Sequence, residues 1–152
     1  MLDTDIKTKV LDRIPQQKPF RFIDEITELT EETVTGKYTF REDEFFYAGH
    51  FPGNPITPGV ILIECMAQIG LVALGIYLND LENGKEDVIT LFAESDVEFA
   101  YPVYPGATVI VKSKKAFFRR KKIKAEVEMR LSTGELVARG TLSGVGVVQN
   151  AG

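Results

Sequence analysis

The segment from Pro58 to Leu78 is apolar at nearly every position, and this feature restricts the possible folds more than any other. Thr57 and Pro58 are typical of a helix N-cap and first helical residue, and Asn79-Asp80 predicts its end. A helix without a polar face must be covered on all sides. The segment therefore lies either in lipid or inside a sheet that wraps it.

Glu64 decides between these two environments. A carboxylate in the middle of a lipid-embedded helix costs about 2–4 kcal/mol, and no Lys or Arg closely flanks the segment as in membrane spans. The surrounding sequence also has strand character. We therefore interpret the segment as a buried core helix and expect no membrane association.

The rest of the chain predicts an antiparallel sheet. Lys122–Leu131 alternates between apolar and charged residues, which is typical of a strand with one covered face. A short amphipathic helix is predicted over residues 6–14. We predict an α+β fold with a single domain over residues 1–152, in which a curved antiparallel sheet wraps one long central helix. The predicted strands are Phe20–Ile26, Thr33–Phe40, Val88–Ala93, Thr108–Lys115, Lys122–Leu131 and Glu135–Val148.

Rare residues exclude several kinds of site. The chain has one histidine, His50, and one cysteine, Cys65, so one copy cannot form a Cys/His zinc cluster or an internal disulfide. We expect no metal and no cofactor. The acidic start of the chain does not resemble a secretory signal, and together with the lone thiol this predicts a cytoplasmic protein. Cys65 is interpreted as a small packing residue.

The charge pattern is uneven. The net charge is 18 − 22 = −4, which argues against nucleic-acid binding. Residues 112–124 nevertheless carry eight Lys or Arg residues and no carboxylate. These residues either form a solvated strand face that protects a sheet edge or form a docking surface for an acidic partner.

His50 lies in a loop, residues 49–59, in which six of eleven residues are Gly or Pro. Proline fixes the backbone and glycine permits close approach, so the loop holds its side chains in defined positions. A general base needs such placement. The alternative is a loop histidine that only hydrogen-bonds a turn.

Glu64 and Gln68 are the strongly polar side chains inside the apolar helix, and their i, i+4 spacing places them on one face. Burial raises the pKa of a carboxyl group, so Glu64 is a candidate general acid. The alternative is a structural glutamate satisfied by Gln68 or by the backbone. At the helix start, the N–H groups of Gly59 and Val60 are free to bind a developing oxyanion. Base, acid and oxyanion donor together predict an elimination next to a carbonyl group.

The run Gly49-His50-Phe51-Pro52-Gly53-Asn54-Pro55-Ile56-Thr57-Pro58-Gly59-Val60, followed by Glu64-Cys65-Met66-Ala67-Gln68, resembles the active-site signature of hot-dog-fold 3-hydroxyacyl-[acyl-carrier-protein] dehydratases. The resemblance implies that His50 and Glu64 are the catalytic pair. It also implies that the Gly59 N–H binds the thioester carbonyl and that Gln68 orients the carboxyl group. In that family the histidine and the acid meet across a dimer interface, around a tunnel for the acyl chain.

Two departures from the family pattern concern the partner. A His-Arg pair is replaced by Gln16-Gln17, and basic residues before the Pro-x-x-Pro-Gly turn are replaced by Glu98, Ala100 and Tyr101. The basic run can supply the missing charge, because acyl carrier proteins are acidic. Candidate docking residues are Arg119, Arg120, Lys121 and Lys122, and candidate tunnel or gate residues are Phe51, Tyr101 and Tyr104.

The expected activity is dehydration of a (3R)-hydroxyacyl thioester to the trans-2-enoyl thioester in fatty-acid or related lipid or polyketide-type biosynthesis. The expected partners are an acyl carrier protein and a second copy of the chain, as a homodimer or a trimer of dimers. A hot-dog thioesterase that uses Glu64 to activate water is the alternative enzyme. A non-catalytic acyl-thioester-binding subunit is the alternative outside enzymes, and the presence of both His50 and Glu64 argues against it.

Overall fold

In the computed structural model, which describes residues 4–149, the apolar segment forms one helix of 25 residues, Gly59–Asn83. This central helix is long and apolar enough to cross a membrane, with a hydropathy of 2.1 in its most apolar stretch. However, 78% of that stretch is buried inside the fold. The protein's own sheet covers the helix, as expected for the core of a globular protein.

The central helix has three parts. Gly59–Ala67 and Leu74–Asn83 are α-helical, whereas the middle, Gln68–Ala73, is π-helical. A π-helical turn holds an extra residue, and such turns are frequent at functional sites. The helix continues past the predicted end at Leu78 because Asn79 is buried and donates to the Glu86 carboxylate over 3.0 Å.

Thr57 does not cap the central helix, in contrast to the prediction. Its hydroxyl lies 2.6 Å from the Tyr47 hydroxyl, and its N–H donates to the Val103 carbonyl over 2.9 Å. The N-cap is Pro58, whose carbonyl accepts from Ile61 and Leu62. Thr57 therefore fastens the start of the helix to neighbouring segments.

Within residues 4–149, six strands form one antiparallel sheet in the order β1-β2-β4-β5-β6-β3. This arrangement agrees with the predicted α+β fold. A short helix, α1, precedes the sheet, as predicted. The bounds are α1 Thr4–Asp12, β1 Glu25–Leu29, β2 Thr33–Thr39, β3 Val88–Phe99, β4 Thr108–Arg119, β5 Lys122–Leu131 and β6 Leu136–Val148.

Strand β5 has the predicted bounds, and its residues Ile123, Ala125, Val127 and Met129 are buried. Strands β3 and β4 are longer than predicted. Each continues through an irregularity in its pairing, between Phe92 and Glu94 in β3 and between Lys115 and Phe117 in β4. Such irregularities interrupt the alternation of side chains, which is the signal that sequence reasoning uses.

The predicted strand Phe20–Ile26 is wrong over most of its length, because β1 begins only at Glu25. Instead of pairing with a strand, the Phe22 N–H donates to the Gln68 side chain over 2.6 Å. The preceding backbone is held by Arg21, whose guanidinium donates to the carbonyls of Leu11, Ile14 and Gln16. Residues 20–24 thus run over the central helix as an irregular segment.

The sheet approaches the central helix closely at Gly70. A Cβ atom at this position would lie 3.1 Å from the side chains of Ser113 and Val127. The buried Ser113 hydroxyl donates to the Gly70 carbonyl over 3.0 Å. This contact fixes the helix against β4 and β5 immediately after Gln68.

Candidate active site

The His50 loop is fixed by its own backbone. The His50 N–H donates to the Phe46 carbonyl over 3.1 Å, and the His50 carbonyl accepts from the Ile56 N–H over 2.8 Å. Phe51 and Asn54 exchange two further backbone hydrogen bonds, of 3.1 and 2.8 Å. The loop therefore holds the imidazole in a defined position, as its Gly and Pro content predicted.

The environment of the imidazole identifies its reactive nitrogen. His50 Nδ1 lies 2.8 Å from the Ile56 carbonyl oxygen, and the ring stacks on Phe51 with 4.1 Å between centroids. A carbonyl oxygen only accepts hydrogen bonds, so Nδ1 carries the proton in this contact. In the neutral ring, Nε2 then has the free lone pair. This is the tautomer that a general base requires.

Glu64 lies on the central helix, and burial is the main influence on its carboxyl group. Burial raises the pKa of Glu64 because the charged form loses hydration, and a hydrogen bond from Gln68 partly offsets this by lowering it. Gln68 Nε2 donates to Glu64 Oε2 over 2.9 Å. The net shift is upward, which favours the protonated form needed by a general acid.

Gln68 is fully buried, and its orientation is determined by the backbone of the irregular segment. Its Oε1 accepts from the Phe22 N–H over 2.6 Å, and its Nε2 also donates to the Phe20 carbonyl over 2.9 Å. Since the Phe22 N–H needs an acceptor, the oxygen faces Phe22 and the NH₂ group faces Glu64. Sequence reasoning found the pair Glu64 and Gln68 but missed the two phenylalanines that orient it.

The start of the central helix provides N–H groups outside the helical pattern. The Ile61 N–H makes the first hydrogen bond of the helix, to the Pro58 carbonyl. The N–H groups of Gly59 and Val60 precede it and therefore have no acceptor within the helix. A Cβ atom at Gly59 would lie 3.1 Å from the Phe99 ring, so a larger residue would displace that ring. The Val60 side chain is 74% exposed. The Gly59 and Val60 N–H groups, which the sequence predicted as oxyanion donors, therefore lie at an accessible helix end.

Glu64 borders a small cavity of about 30 Å³, but His50 is not among its described lining residues. The lining residues are Gln16, Glu64, Ala67, Leu71, Val72, Thr90 and Phe92. A much larger cleft of about 620 Å³ lies over the charged sheet residues, including Lys112, Glu128 and Arg139, and involves neither His50 nor Glu64. The larger cleft therefore does not contain the candidate catalytic residues, and the chemistry of the side chains, not the cavity volume, identifies the candidate site.

A family model described as a FabA-like domain matches residues 14–141. The chain belongs to the FabA-like family. A 3-hydroxyacyl-[acyl-carrier-protein] dehydratase FabZ from Syntrophobacter fumaroxidans is 40% identical over 70% of each chain. FabZ from Chlamydia trachomatis is 36% identical, over 86% of this FabA-like chain and 84% of the relative. The bifunctional enzyme LpxC/FabZ from Chlorobaculum tepidum is also 36% identical, and the match spans 27% of its length.

Solved structures similar to this FabA-like chain confirm the hot-dog fold. The dehydratase heterocomplex ApeI:P from Xenorhabdus doucetiae has a TM-score of 0.74 at 16% identity, over 93% of this chain and 91% of that one. A hypothetical thioesterase with coenzyme A from Streptococcus pneumoniae has a TM-score of 0.58 at 15% identity, over 84% and 88% of the two chains. At these identities the likeness concerns the fold.

The candidate tunnel or gate residues of the FabA-like chain are not among the described residues that line the Glu64 cavity. Phe51, Tyr101 and Tyr104 are about half exposed, at 50%, 45% and 50%. Cys65 is fully buried, and burial raises the pKa of its thiol, so it is inert as a nucleophile. Residues 4–149 contain no group of three or more His, Cys, Asp or Glu side chains arranged to hold a metal ion.

The basic candidates form the turn between β4 and β5. Arg120 and Lys121 have positive φ angles of 53° and 62°, as in the tight hairpin turns that fit the twist of a sheet. Lys121 pairs with Glu86 at 3.1 Å. Among the described residues, no carboxylate lies within ion-pair distance of Arg119 or Lys122. The hairpin thus presents unpaired positive charge.

Proposed function

We propose that this chain dehydrates 3-hydroxyacyl-[acyl-carrier-protein] thioesters to trans-2-enoyl thioesters in fatty-acid synthesis, with His50 and Glu64 as base and acid. The observation that carries the proposal is that the two groups have complementary protonation preferences: His50 has the tautomer of a base, and Glu64 favours the protonated form of an acid. In the neutral His50 ring, Nε2 has the free lone pair because Nδ1 donates to the Ile56 carbonyl. Burial raises the pKa of Glu64 and so favours its protonated form, and the Gln68 amide orients the carboxyl group.

The proposed reaction moves two protons. His50 Nε2 removes a proton from C2 of the acyl chain, and the electron pair forms the C2–C3 double bond as the C3–O bond breaks. Glu64 gives its proton to the departing hydroxyl, which leaves as water. The N–H of Gly59 donates to the thioester oxygen while negative charge develops there. Proton return from His50 to Glu64 through water restores the starting state.

His50 is not among the described residues that line the Glu64 cavity, and this supports a site shared between two copies. Strand β3 is at the edge of the sheet and exposes Leu91 and Phe92, by 56% and 47%. Exposed apolar edge strands tend to pair. The His50 loop adjoins the Phe99 end of β3 through Gly59, whereas the Glu64 cavity includes Thr90, near the other end. Antiparallel pairing of β3 with a second β3 would bring His50 of each copy towards Glu64 of the other, in a homodimer or a trimer of dimers.

The same pairing suggests how the carrier protein docks. The Lys121 carbonyl accepts a hydrogen bond from the N–H of Gly146, which lies on β6 four residues after Leu142. Gly146 in turn pairs with Thr90 of β3 in the sheet. The basic hairpin therefore lies at the Thr90 end of β3, beside the shared site. We propose that Arg119, Arg120, Lys121 and Lys122 contact the acidic carrier protein. The exposed Phe51, Tyr101 and Tyr104 line or gate the path of the acyl chain. We also propose that the protein acts in the cytoplasm.

The activity is tested by incubating the purified protein with a panel of 3-hydroxyacyl carrier-protein substrates and measuring intact product mass. We expect loss of one water from the acyl chain, abolished in His50→Ala and in Glu64→Gln while circular dichroism stays unchanged. General acid–base groups contribute about 10²–10⁴-fold each. Most of the activity remaining in His50→Ala would refute the mechanism. Release of free acid and thiol would instead indicate a thioesterase, and tight carrier binding with no product would indicate a non-catalytic subunit.

Docking is tested by the double charge reversal Arg119→Glu/Lys122→Glu. We expect KM to rise for the carrier-protein substrate but to stay unchanged for the same acyl group on pantetheine. The matched control is Arg130→Glu at the opposite end of β5, which should affect neither KM. Equal effects of the two variants on the carrier-protein substrate would contradict docking at the hairpin.

A further inference from the structure

The small cavity beside Glu64 contains polar groups that the proposed mechanism does not use. Gln16 and Thr90 line it together with Glu64, and the other lining residues are apolar. Its volume of about 30 Å³ is enough for a water-sized group but not for an acyl chain. A hydroxyl group or a single water is therefore the largest polar occupant that fits.

Gln16 brings an unused acceptor to this cavity. Its side-chain Oε1 is buried and has no hydrogen-bond partner among the described residues. Buried polar atoms are nearly always hydrogen-bonded, because leaving one unpaired costs free energy. An acceptor that the protein leaves unpaired next to a candidate acid is therefore suited to a donor that arrives with the substrate.

The backbone, rather than the amide itself, fixes the position of Gln16. Arg21 donates to the Gln16 carbonyl over 3.1 Å and to the carbonyls of Leu11 and Ile14 over 2.8 and 3.1 Å. The neighbouring side chain, Gln17, turns back and donates to the Ile14 carbonyl. Of the two adjacent glutamines, only Gln16 lines the Glu64 cavity.

We propose that Gln16 is a substrate-binding residue whose Oε1 accepts a hydrogen bond from the 3-hydroxyl group and holds that group against Glu64. The inference rests on the proposed dehydratase function. With its O–H directed to Gln16, the hydroxyl oxygen presents a lone pair for the proton of Glu64. The departing water keeps its hydrogen bond to Gln16. Because a saturated chain has no hydroxyl donor at C3, the residue favours substrates with a hydroxyl group over the saturated chain.

The test compares the affinities of two ligands in a His50→Ala background, where turnover is blocked. The ligands are a 3-hydroxyacyl-pantetheine and the saturated acyl-pantetheine of the same length, and binding is measured by calorimetry. We expect Gln16→Met to weaken binding of the hydroxylated ligand by about twofold to tenfold, the effect of one neutral hydrogen bond, and to leave the saturated ligand unchanged. Gln17→Met is the matched control and should change neither affinity.

Equal weakening of both ligands, or no weakening of the hydroxylated one, would overturn the role of Gln16. If Gln16→Met does not fold, Gln16→Leu provides the same comparison. Turnover by the unmodified protein separates this failure from failure of the proposed function. An unmodified protein that forms the enoyl product while Gln16→Met does not distinguish the ligands refutes Gln16 alone. An unmodified protein that neither binds nor dehydrates the hydroxylated ligand refutes both proposals.

Discussion

Replacing Gln68 with Met removes the amide that links the central helix to the irregular segment while preserving side-chain length. The Phe22 N–H would lose its acceptor, and Phe22 is fully buried. An unpaired buried donor costs about 1–3 kcal/mol, and the lost hydrogen bond to the Phe20 carbonyl adds about 0.5–1.5 kcal/mol. We expect the free energy of unfolding to fall by about 2–4 kcal/mol, which lowers Tm by about 5–15 °C in a domain of this size.

Urea denaturation followed by far-ultraviolet circular dichroism measures this change. The matched control is Gln17→Met, because among the described residues the Gln17 side chain makes one local hydrogen bond, of 3.1 Å to the Ile14 carbonyl. We expect that control to lose under about 1 kcal/mol. A Gln68→Met variant as stable as the control would show that the Phe22 N–H finds another partner, and it would refute the proposed anchoring.

Gln68→Met also changes the expected pH dependence of catalysis. The Gln68 hydrogen bond lowers the pKa of Glu64, whereas burial raises it more strongly. Without the amide, the pKa of Glu64 should rise further. Since the proposed mechanism needs protonated Glu64, the alkaline limb of the kcat–pH profile should move to higher pH. A shift to lower pH would contradict the role assigned to the amide.

Three further predictions concern stability and reactivity. Because burial raises the pKa of Glu64, the folded state binds its proton more tightly than the unfolded chain does. The contribution of this group to the free energy of unfolding therefore falls as pH rises from the unfolded to the folded pKa. Relative to the parent protein, Glu64→Gln should gain stability across that pH window, as measured by pH-dependent urea denaturation. Gly140→Ala should sharply lower Tm, because its Cβ would lie 1.9 Å from the Asp96 carbonyl oxygen, whereas Gly49→Ala, with no atom within 4 Å, should leave Tm unchanged. Cys65 should resist a thiol reagent until the protein unfolds, so rapid labelling under native conditions would contradict its burial.

The fold was predictable from the sequence where the signal was local. Lys122–Leu131 alternates without interruption, and the strand has those bounds. The apolar segment predicted a covered helix, and the sheet covers it. Phe20–Ile26 has strand composition as well, but its backbone bonds to a side chain far along the chain. Local propensity cannot include a partner that only the folded state brings near.

The candidate site was predictable to a similar degree. The spacing of Glu64 and Gln68 placed both on one helix face, and their hydrogen bond confirms that they meet. The contact of His50 with Ile56 within its own loop is local but depends on the loop conformation. Gln16 gave no signal from composition or periodicity, because its proximity to Glu64 depends on how Arg21 holds the backbone of residues 11–16 in the folded chain.

The π-helical turn at Gln68–Ala73 separates the two α-helical parts of the central helix. The part before it, Gly59–Ala67, carries Glu64 and the proposed oxyanion donors, while Leu74–Asn83 packs against the rest of the core. Because the turn adds a residue to the helix, the side chains after it are offset around the helix axis from those before it. Despite this offset, the helix buries side chains on both sides of the turn, including Cys65 and Met66 before it and Leu74 and Ile76 after it.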